Sequence, residues 1–279
     1  MRRSALAILF TLPCAIGCAG NALGTAGDAE AATTTSALVV VERTVGATEG
    51  SRAEASARFV RITAGASVDD ALRAIGADLE LPARGACAGV TSLAGGFARS
   101  EPAPVVELVD VGAVSLEAGG VETRLLPRQL PDVTDVVSGV VYARAAEPGL
   151  LPAATHYIVH VAGGPDLGAF DVTATAPGDP SAVRITGEDD RGTLVASGPT
   201  VHLAWATDTS DDVVYVDVRP NGVRCVFANT GHAAVSTLYF DDAGALVVHR
   251  LHREPLRAPG IDSGEVRFDF ARSVPYTRR

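Results

Sequence analysis

Six histidines and two groups of aspartates are the first places to look for chemistry in this sequence of 279 residues. His156 and His160 frame HYIVH, which reads as a strand; they share one face but stand about 13 Å apart along it, too far to grip one zinc ion. His249 and His252 fall on opposite faces of a regular strand, so neither pair predicts a transition-metal site. Asp208, Asp211 and Asp212 in one turn, with Asp241 and Asp242 in another, have the oxygens calcium takes, but the same residues close β-turns without a ligand. The Gly-x-Ser-x-Gly elbow, His-Glu-x-x-His, the phosphate-binding glycine loop and the dinucleotide fingerprint are absent from the sequence. No catalytic, cofactor-binding or metal-binding residue is therefore assigned. A hydrolase would need a nucleophile and a base gathered from distant strands.

The chain opens with Met1, Arg2 and Arg3, followed by SALAILFTLPCAIG, an apolar run too short to span a bilayer and broken by Pro13. Residues 1–17 read as an export signal. Ala15, Ile16, Gly17 and Cys18 resemble the lipobox of bacterial lipoproteins, in which the cysteine is acylated and becomes the mature N-terminus; Ala15 stands where Leu is usual. The resemblance implies lipidation of Cys18 and attachment to a membrane through the lipid, each buried CH2 contributing about 0.8 kcal/mol. Cleavage near Ala19 or Ala22, giving an unanchored secreted chain, is the alternative. Ala19 occupies the place of the family's inner-membrane retention Asp, which implies an outer-membrane lipoprotein, periplasmic or surface-exposed. Residues 18–36, mostly Ala, Gly and Thr, read as a flexible tether. With Cys14 lost in the leader and Cys18 acylated, Cys87 and Cys225 remain. In an oxidising compartment they are expected to form a disulfide, with two separate buried thiols as the alternative.

The balance of 23 basic and 33 acidic residues gives a net charge of -10. No basic stripe with interleaved aromatics offsets it, so nucleic acid is not an expected partner. Every basic residue is an arginine; a GC-rich genome accounts for this without any functional demand.

The elements that must hold any site are strands. From Val201 to Val248, VHLAWA, VVYVDVR, VRCVF, VSTLYF and ALVVHRL follow one another with short polar breaks. Val214, Val216 and Val218 alternate with Tyr215, Asp217 and Arg219, as on a sheet with one buried face, and Val201, Leu203 and Trp205 point the same way in their strand. Pro220, Asn221 and Gly222 fit a tight hairpin. Upstream, VVELVDV, AVSLE, VETRLL, VVSGVVYAR, THYIVHV, GAFDVTAT and AVRIT recur every ten to fifteen residues, a spacing that points to a sandwich. EVRFDFA places Val266, Phe268 and Phe270 on one face and closes a sheet before a polar tail at Thr277–Arg279.

The predicted fold is mainly β: an antiparallel β-sandwich, one large or two immunoglobulin-like, with a small N-terminal α+β unit. That unit covers residues 37–100, with strands ALVVVER and ARFVRI and a helix from Ser67 to Gly76 capped by Ser67. A β-sandwich region (101–190) and a C-terminal immunoglobulin-like region (191–279) follow, with a boundary at Glu101–Pro104.

The order GAFDVTATAP, HLAWATDTSDDVVYVDVR, VRCVFANTG and LVVHR, with Trp205, Cys225 and Gly231 spaced between strands, resembles a group of secreted bacterial, often myxobacterial, lipoproteins with immunoglobulin-like sandwiches and no assigned function. It implies fold and location and transfers no catalytic residue. The expected function is that of a lipid-anchored envelope protein acting as a non-catalytic binding or structural module. Its partners would be the membrane through the lipid and an envelope protein or glycan. Its candidate surfaces are the loops Asp208–Asp212, Asn229–His232 and Gly163–Gly168. A periplasmic hydrolase with a non-local active site and a carbohydrate-binding sandwich are the alternatives; the inward-facing Trp205, the single tryptophan, leaves the latter little on which to stack a sugar.

Overall fold

A computed structural model describes residues 33–46, 50–63, 73, 75, 78–93, 106–133, 137–207 and 211–279. The export signal, Cys18, most of the tether, most of the Ser67–Gly76 helix, the Glu101–Pro104 boundary and Asp208 lie outside the described residues.

The chain is built of strands. They are β1 (Thr33–Gly46), β2 (Arg52–Thr63), β3 (Cys87–Gly89), β4 (Val106–Leu108), β5 (Val114–Ala118), β6 (Val121–Val133), β7 (Val137–Ala146), β8 (His156–Val161) and β9 (Phe170–Thr175) in the first part. The second part holds β10 (Arg184–Ile185), β11 (Leu194–Ala196), β12 (Thr200–Ala204), β13 (Val213–Arg219), β14 (Val223–Ala228), β15 (His232–Ser236), β16 (Ala243–Pro255) and β17 (Ser263–Arg278).

A 14-stranded sheet runs in the order β3-β14-β13-β16-β17-β1-β2-β4-β7-β6-β5-β8-β9, with β11 pairing to β17, and a separate 3-stranded sheet runs β10-β12-β15. The fold is mainly β, as the alternation predicts, but the large sheet is mixed. β1 lies parallel to β17 from Ser36↔Ser263 to Gly46↔Ser273, and β4 lies parallel to β7. The large sheet turns back on itself through β6, whose first residues, Val121–Leu125, pair with β5 while Leu126–Leu130 pair with β7. A strand that passes from one layer to the other in this way makes the corner of a sandwich.

β17 shows how the sequence fills two sides. Phe268 and Phe270 join Val39, Val41 and Phe59 in one core, against Leu116, Tyr157 and Val159 from the folded-over part of the sheet. Further along the same face, Val274 and Tyr276 join Val214, Val216 and Val248 in a second core, closed by Val201, Leu203 and Val235 of the small sheet. The choice between one sandwich and two therefore resolves into one shared sheet backed by two separate covers. Residues 37–100 do not stand apart as an α+β unit: β1 and β2 occupy the middle of the large sheet, and residues Ala32–Arg279 form one compact unit. A hairpin of two strands has no core of its own, and here it buries its apolar face beside β17. The strands also run further than their apolar runs. Thr33–Ser36, expected in the tether, pair with β2, and Thr277 and Arg278, expected in a tail, pair with β11.

An ionic belt separates the cores. On the inward face of β16, Arg250 Nε donates to Asp212 Oδ2 at 2.5 Å and His252 Nδ1 to Asp212 Oδ1 at 2.6 Å, with the Asp212 side chain only 1% exposed. His252 Nε2 lies 3.1 Å from Glu254, whose carboxylate also accepts the Thr175 N–H at 2.9 Å. Arg43 pairs with Asp179 at 2.9 Å, and Arg272 pairs with Glu188 and donates to the Val183 carbonyl at 2.7 Å. Breaking one partner of such a buried set strands the other in low dielectric, so the belt fixes how the two covers seat on the shared sheet.

The Asp212 hydrogen bond is the main cause that raises the His252 pKa, helped by Glu254 and opposed by burial. A raised histidine adds stability in full below its unfolded value of about 6.5 and loses it as pH climbs through the higher folded value. The melting temperature of His252→Gln should therefore lie furthest below the parent's in mildly acidic buffer, and the gap should narrow as pH rises past 7. A gap independent of pH between 5.5 and 9 would refute this coupling.

Candidate functional site

The same alternation that fills the cores places a second set of residues on the sheet's outward face. Leu38 and Val40 of β1, Val60 and Ile62 of β2, and Tyr215 and Leu251 of β13 and β16 are buried there, beneath Ile75 and residues 78–93. Ile75 packs on the β1 and β2 side, and Leu79 and Leu81 pack against Tyr215, Val226 and Leu251. This strap is fixed by backbone hydrogen bonds from Gly85 N to Val226 O (2.8 Å), Val226 N to Ala86 O (3.0 Å) and Val90 N to Gly222 O (2.6 Å). Cys87 and Cys225, opposite each other in the β3–β14 register, are joined as a disulfide.

Between strap and sheet lies a polar network drawn from adjacent strands. Asp269 of β17 accepts the Tyr215 hydroxyl and the His249 Nδ1–H, the latter at 2.9 Å. Because an ionised carboxylate only accepts, this contact fixes the proton on Nδ1. The His249 ring stacks on Tyr215 with centroids 4.1 Å apart and planes 12° from parallel. Arg224 holds Asp217 bidentately through Nε (2.7 Å) and Nη2 (2.9 Å), lies 4.9 Å above the Tyr215 ring, and donates from Nη1 to the Glu80 carbonyl of the strap at 3.1 Å. Among the described residues His249 Nε2 has no hydrogen-bond partner; Asp217 Oδ2 lies 3.8 Å from it.

The electrostatics follow from these contacts. Burial pushes the Asp269 carboxyl up, but the charge and hydrogen bond of His249, the Tyr215 hydroxyl and Arg224 together hold it below the ordinary range. Burial first, and then Asp269, pushes the Tyr215 phenol well above its usual value. The hydrogen bond to Asp217 raises Arg224 against its own burial. Glu42, beside Asp269 in the β1–β17 register, differs. Its tip reaches solvent, yet the protein around it raises its pKa by burial, and Asp269 and Glu54 push it further, with His249 and Arg58 offsetting part.

These groups bound a cleft of about 490 Å³. Tyr215, Asp217, His249, Asp269 and Ser273 form its buried part. Glu42, Arg52, Glu54 and Arg219 stand exposed at its rim, with Leu79 of the strap on its wall. A rigid floor of paired charges with an open rim is a place to bind a polar ligand.

The end loops behave otherwise. Asp212 is consumed by the belt, Asn229 Oδ1 accepts the Trp205 Nε1–H at 2.9 Å, and the Gly163–Gly168 turn is closed by Gly164 N to Leu167 O at 2.8 Å. These residues hold the fold. Among the described residues, no three His, Cys, Asp or Glu side chains gather as a metal site. His156 bonds Thr175 at 3.1 Å, while His160 sits between Asp171 (2.8 Å) and Glu117 (3.5 Å) on the exposed face of β8. Trp205 is half-buried against the second core and lines a smaller cavity of about 180 Å³.

None of the cleft's network was assigned from sequence. The available signal was a charged residue recurring on the face opposite an aromatic or valine set, as Asp217 does in VVYVDVR and Arg267 and Asp269 do in EVRFDFA. Such a pattern reads as a solvated face until a covering segment is known.

No protein-family model matches the chain, and no curated protein does. Among solved structures it is similar to the Fcho1 Mu homology domain of Danio rerio with bound Eps15 peptide, at 9% identity over 88% of this chain and 97% of that one, with a TM-score of 0.22.

Proposed function

We propose that the chain is an exported, lipid-anchored binding module of a bacterial envelope, and that its ligand seat is the outward cleft instead of the end loops. The observation that carries the seat is the Tyr215–Asp269–His249 and Arg224–Asp217 network, whose own charges are paired while the rim beside it stays open. The lipobox resemblance supports the anchor at Cys18, and the disulfide suits an oxidising compartment.

Both halves are testable. Intact mass of the detergent-extracted protein should begin at Cys18 with acyl chains; an unmodified N-terminus near Ala22 would leave a soluble secreted binder. For the seat, Thr44→Trp fills the cleft from β1. In a thermal-shift screen of charged and neutral small molecules, compounds that raise the parent's melting temperature should leave this variant unmoved. Equal shifts in both proteins would refute the cleft as the seat.

One observation favours a hydrolase as a second reading: a histidine oriented by an aspartate in a cleft that also contains Ser273. The nucleophile–base contact is the missing part, since Ser273 Oγ has no hydrogen-bond partner among the described residues. Binding without turnover is what the geometry supports better.

A further inference from the structure

Three carboxylates stand in one row across three neighbouring strands. Glu42 of β1 is directly opposite Glu54 of β2 on one side and in register with Asp269 of β17 on the other. Adjacent strands are about 4.8 Å apart, and like charges directly opposite each other destabilise a sheet unless something neutralises them. Asp269 is served by His249 and Tyr215. Neither Glu42 nor Glu54 makes an ion pair among the described residues. Arg224 is engaged by Asp217 and Arg267 by Glu265 at 2.6 Å; Arg58 offsets part of the charge of Glu42 and Glu54 without forming an ion pair with either, and Arg52 and Arg219 stand on the rim.

The wall of the cleft points to a ligand independently. Ser273, 3% exposed, and His249, 9% exposed, both line it, and Ser273 Oγ and His249 Nε2 are buried without a hydrogen-bond partner among the described residues. Native proteins rarely leave such atoms unserved. Leu79, Ala53, Ala145, Val247 and Ala271 supply the apolar part of the same wall.

Resting on the reading of the cleft as a binding seat, we infer that its ligand is an organic cation with a primary ammonium group on a short methylene chain, its head placed on Glu42 between Glu54 and Asp269. The row of carboxylates offers acceptors and negative charge, and an ammonium brings three donors and the opposite charge. The aliphatic wall suits methylenes, and the carboxylates do not converge as a metal cage. The raised pKa of Glu42 agrees, since it marks a carboxylate whose charge the protein leaves undercompensated.

The probes are 1,5-diaminopentane, 1,5-pentanediol and pentanedioate, titrated calorimetrically into the full chain at pH 7 and low salt. The diamine should bind saturably and at least about ten-fold more tightly than the diol, with no heat from the dianion. Glu42→Gln should weaken the diamine by about ten-fold or more while its melting temperature stays at or above the parent's, because the substitution removes a like charge from the row. Preferential binding of the diol or dianion, lost in Thr44→Trp, overturns the cation and leaves the cleft as a seat. Diamine binding unchanged in Glu42→Gln, or no binding by any probe, also overturns the cation; the cleft then stands or falls on the thermal-shift comparison.

Discussion

Asp269→Ala should lower the stability of the protein by about 3–5 kcal/mol, read as a shift of the urea midpoint at pH 7. Asp269 is 9% exposed and accepts from two buried side chains: the hydroxyl of Tyr215, 1% exposed, and the Nδ1–H of His249. Each buried donor left unsatisfied costs about 1–3 kcal/mol, and no water-sized rearrangement restores a charge opposite the imidazole. Tyr215→Phe, which removes one donor and leaves the ring stacked on His249, should cost much less. The sign of the pH dependence is fixed by the depressed folded pKa of Asp269. Its ionic contribution is complete above the unfolded value of about 3.9 and disappears as pH falls through the lower folded value. The parent and Asp269→Ala should therefore differ fully near neutrality and converge only in strong acid. Equal urea midpoints at pH 7 would show that the network contributes nothing to folding.

Cys87→Ala is the other large effect. The bridge spans a sequence separation of 138 residues. Closing a loop of that size is worth up to about 5 kcal/mol in the chain-entropy model, and typical measured disulfides give about 2–4 kcal/mol. What is lost locally is the strap. Without the bridge, the β3–β14 pairing and the hydrogen bonds linking Gly85 and Ala86 to Val226 are short-range contacts on a sheet edge. Amide exchange at Val226 should speed up, and Arg224 should lose its hold on the Glu80 carbonyl. Cys225→Ala should match Cys87→Ala in melting temperature, and the double variant should be no worse than either. A Cys87→Ala protein that melts with its parent would mean that the bridge contributes no stability.

The strands and their inward residues were legible because their alternation is strict. Val214, Val216 and Val218 enter one core, Phe268 and Phe270 the other, and Gly222 closes the β13–β14 hairpin with φ +64°. The opposite faces of His249 and His252 follow from the same period: one lies in the cleft network and the other in the belt. The mixed sheet was hidden because its decisive pairing joins β1 to β17, more than two hundred residues apart, and periodicity carries no information about which strands become neighbours. The cleft was hidden for a related reason. Glu42, Asp217, His249 and Asp269 come one from each of four strands, each unremarkable alone, and only the order β13-β16-β17-β1 sets them side by side. The disulfide needed only two cysteines and the expectation of an oxidising compartment, so it was within reach.

The parallel pairing of β1 with β17 has a mechanical side. β1 enters the sheet at the end where β17 begins, and the two then run together through eleven partnered residues before β17 continues to Arg278 near the opposite end. Tension between a grip upstream of Thr33 and one on the C-terminus would pull these neighbours in opposite directions along their length. The hydrogen bonds between them would be loaded together in shear instead of being opened one after another. The same strands that carry Glu42 and Asp269 would thus bear the force, and the cleft would stay assembled until that seam gave way.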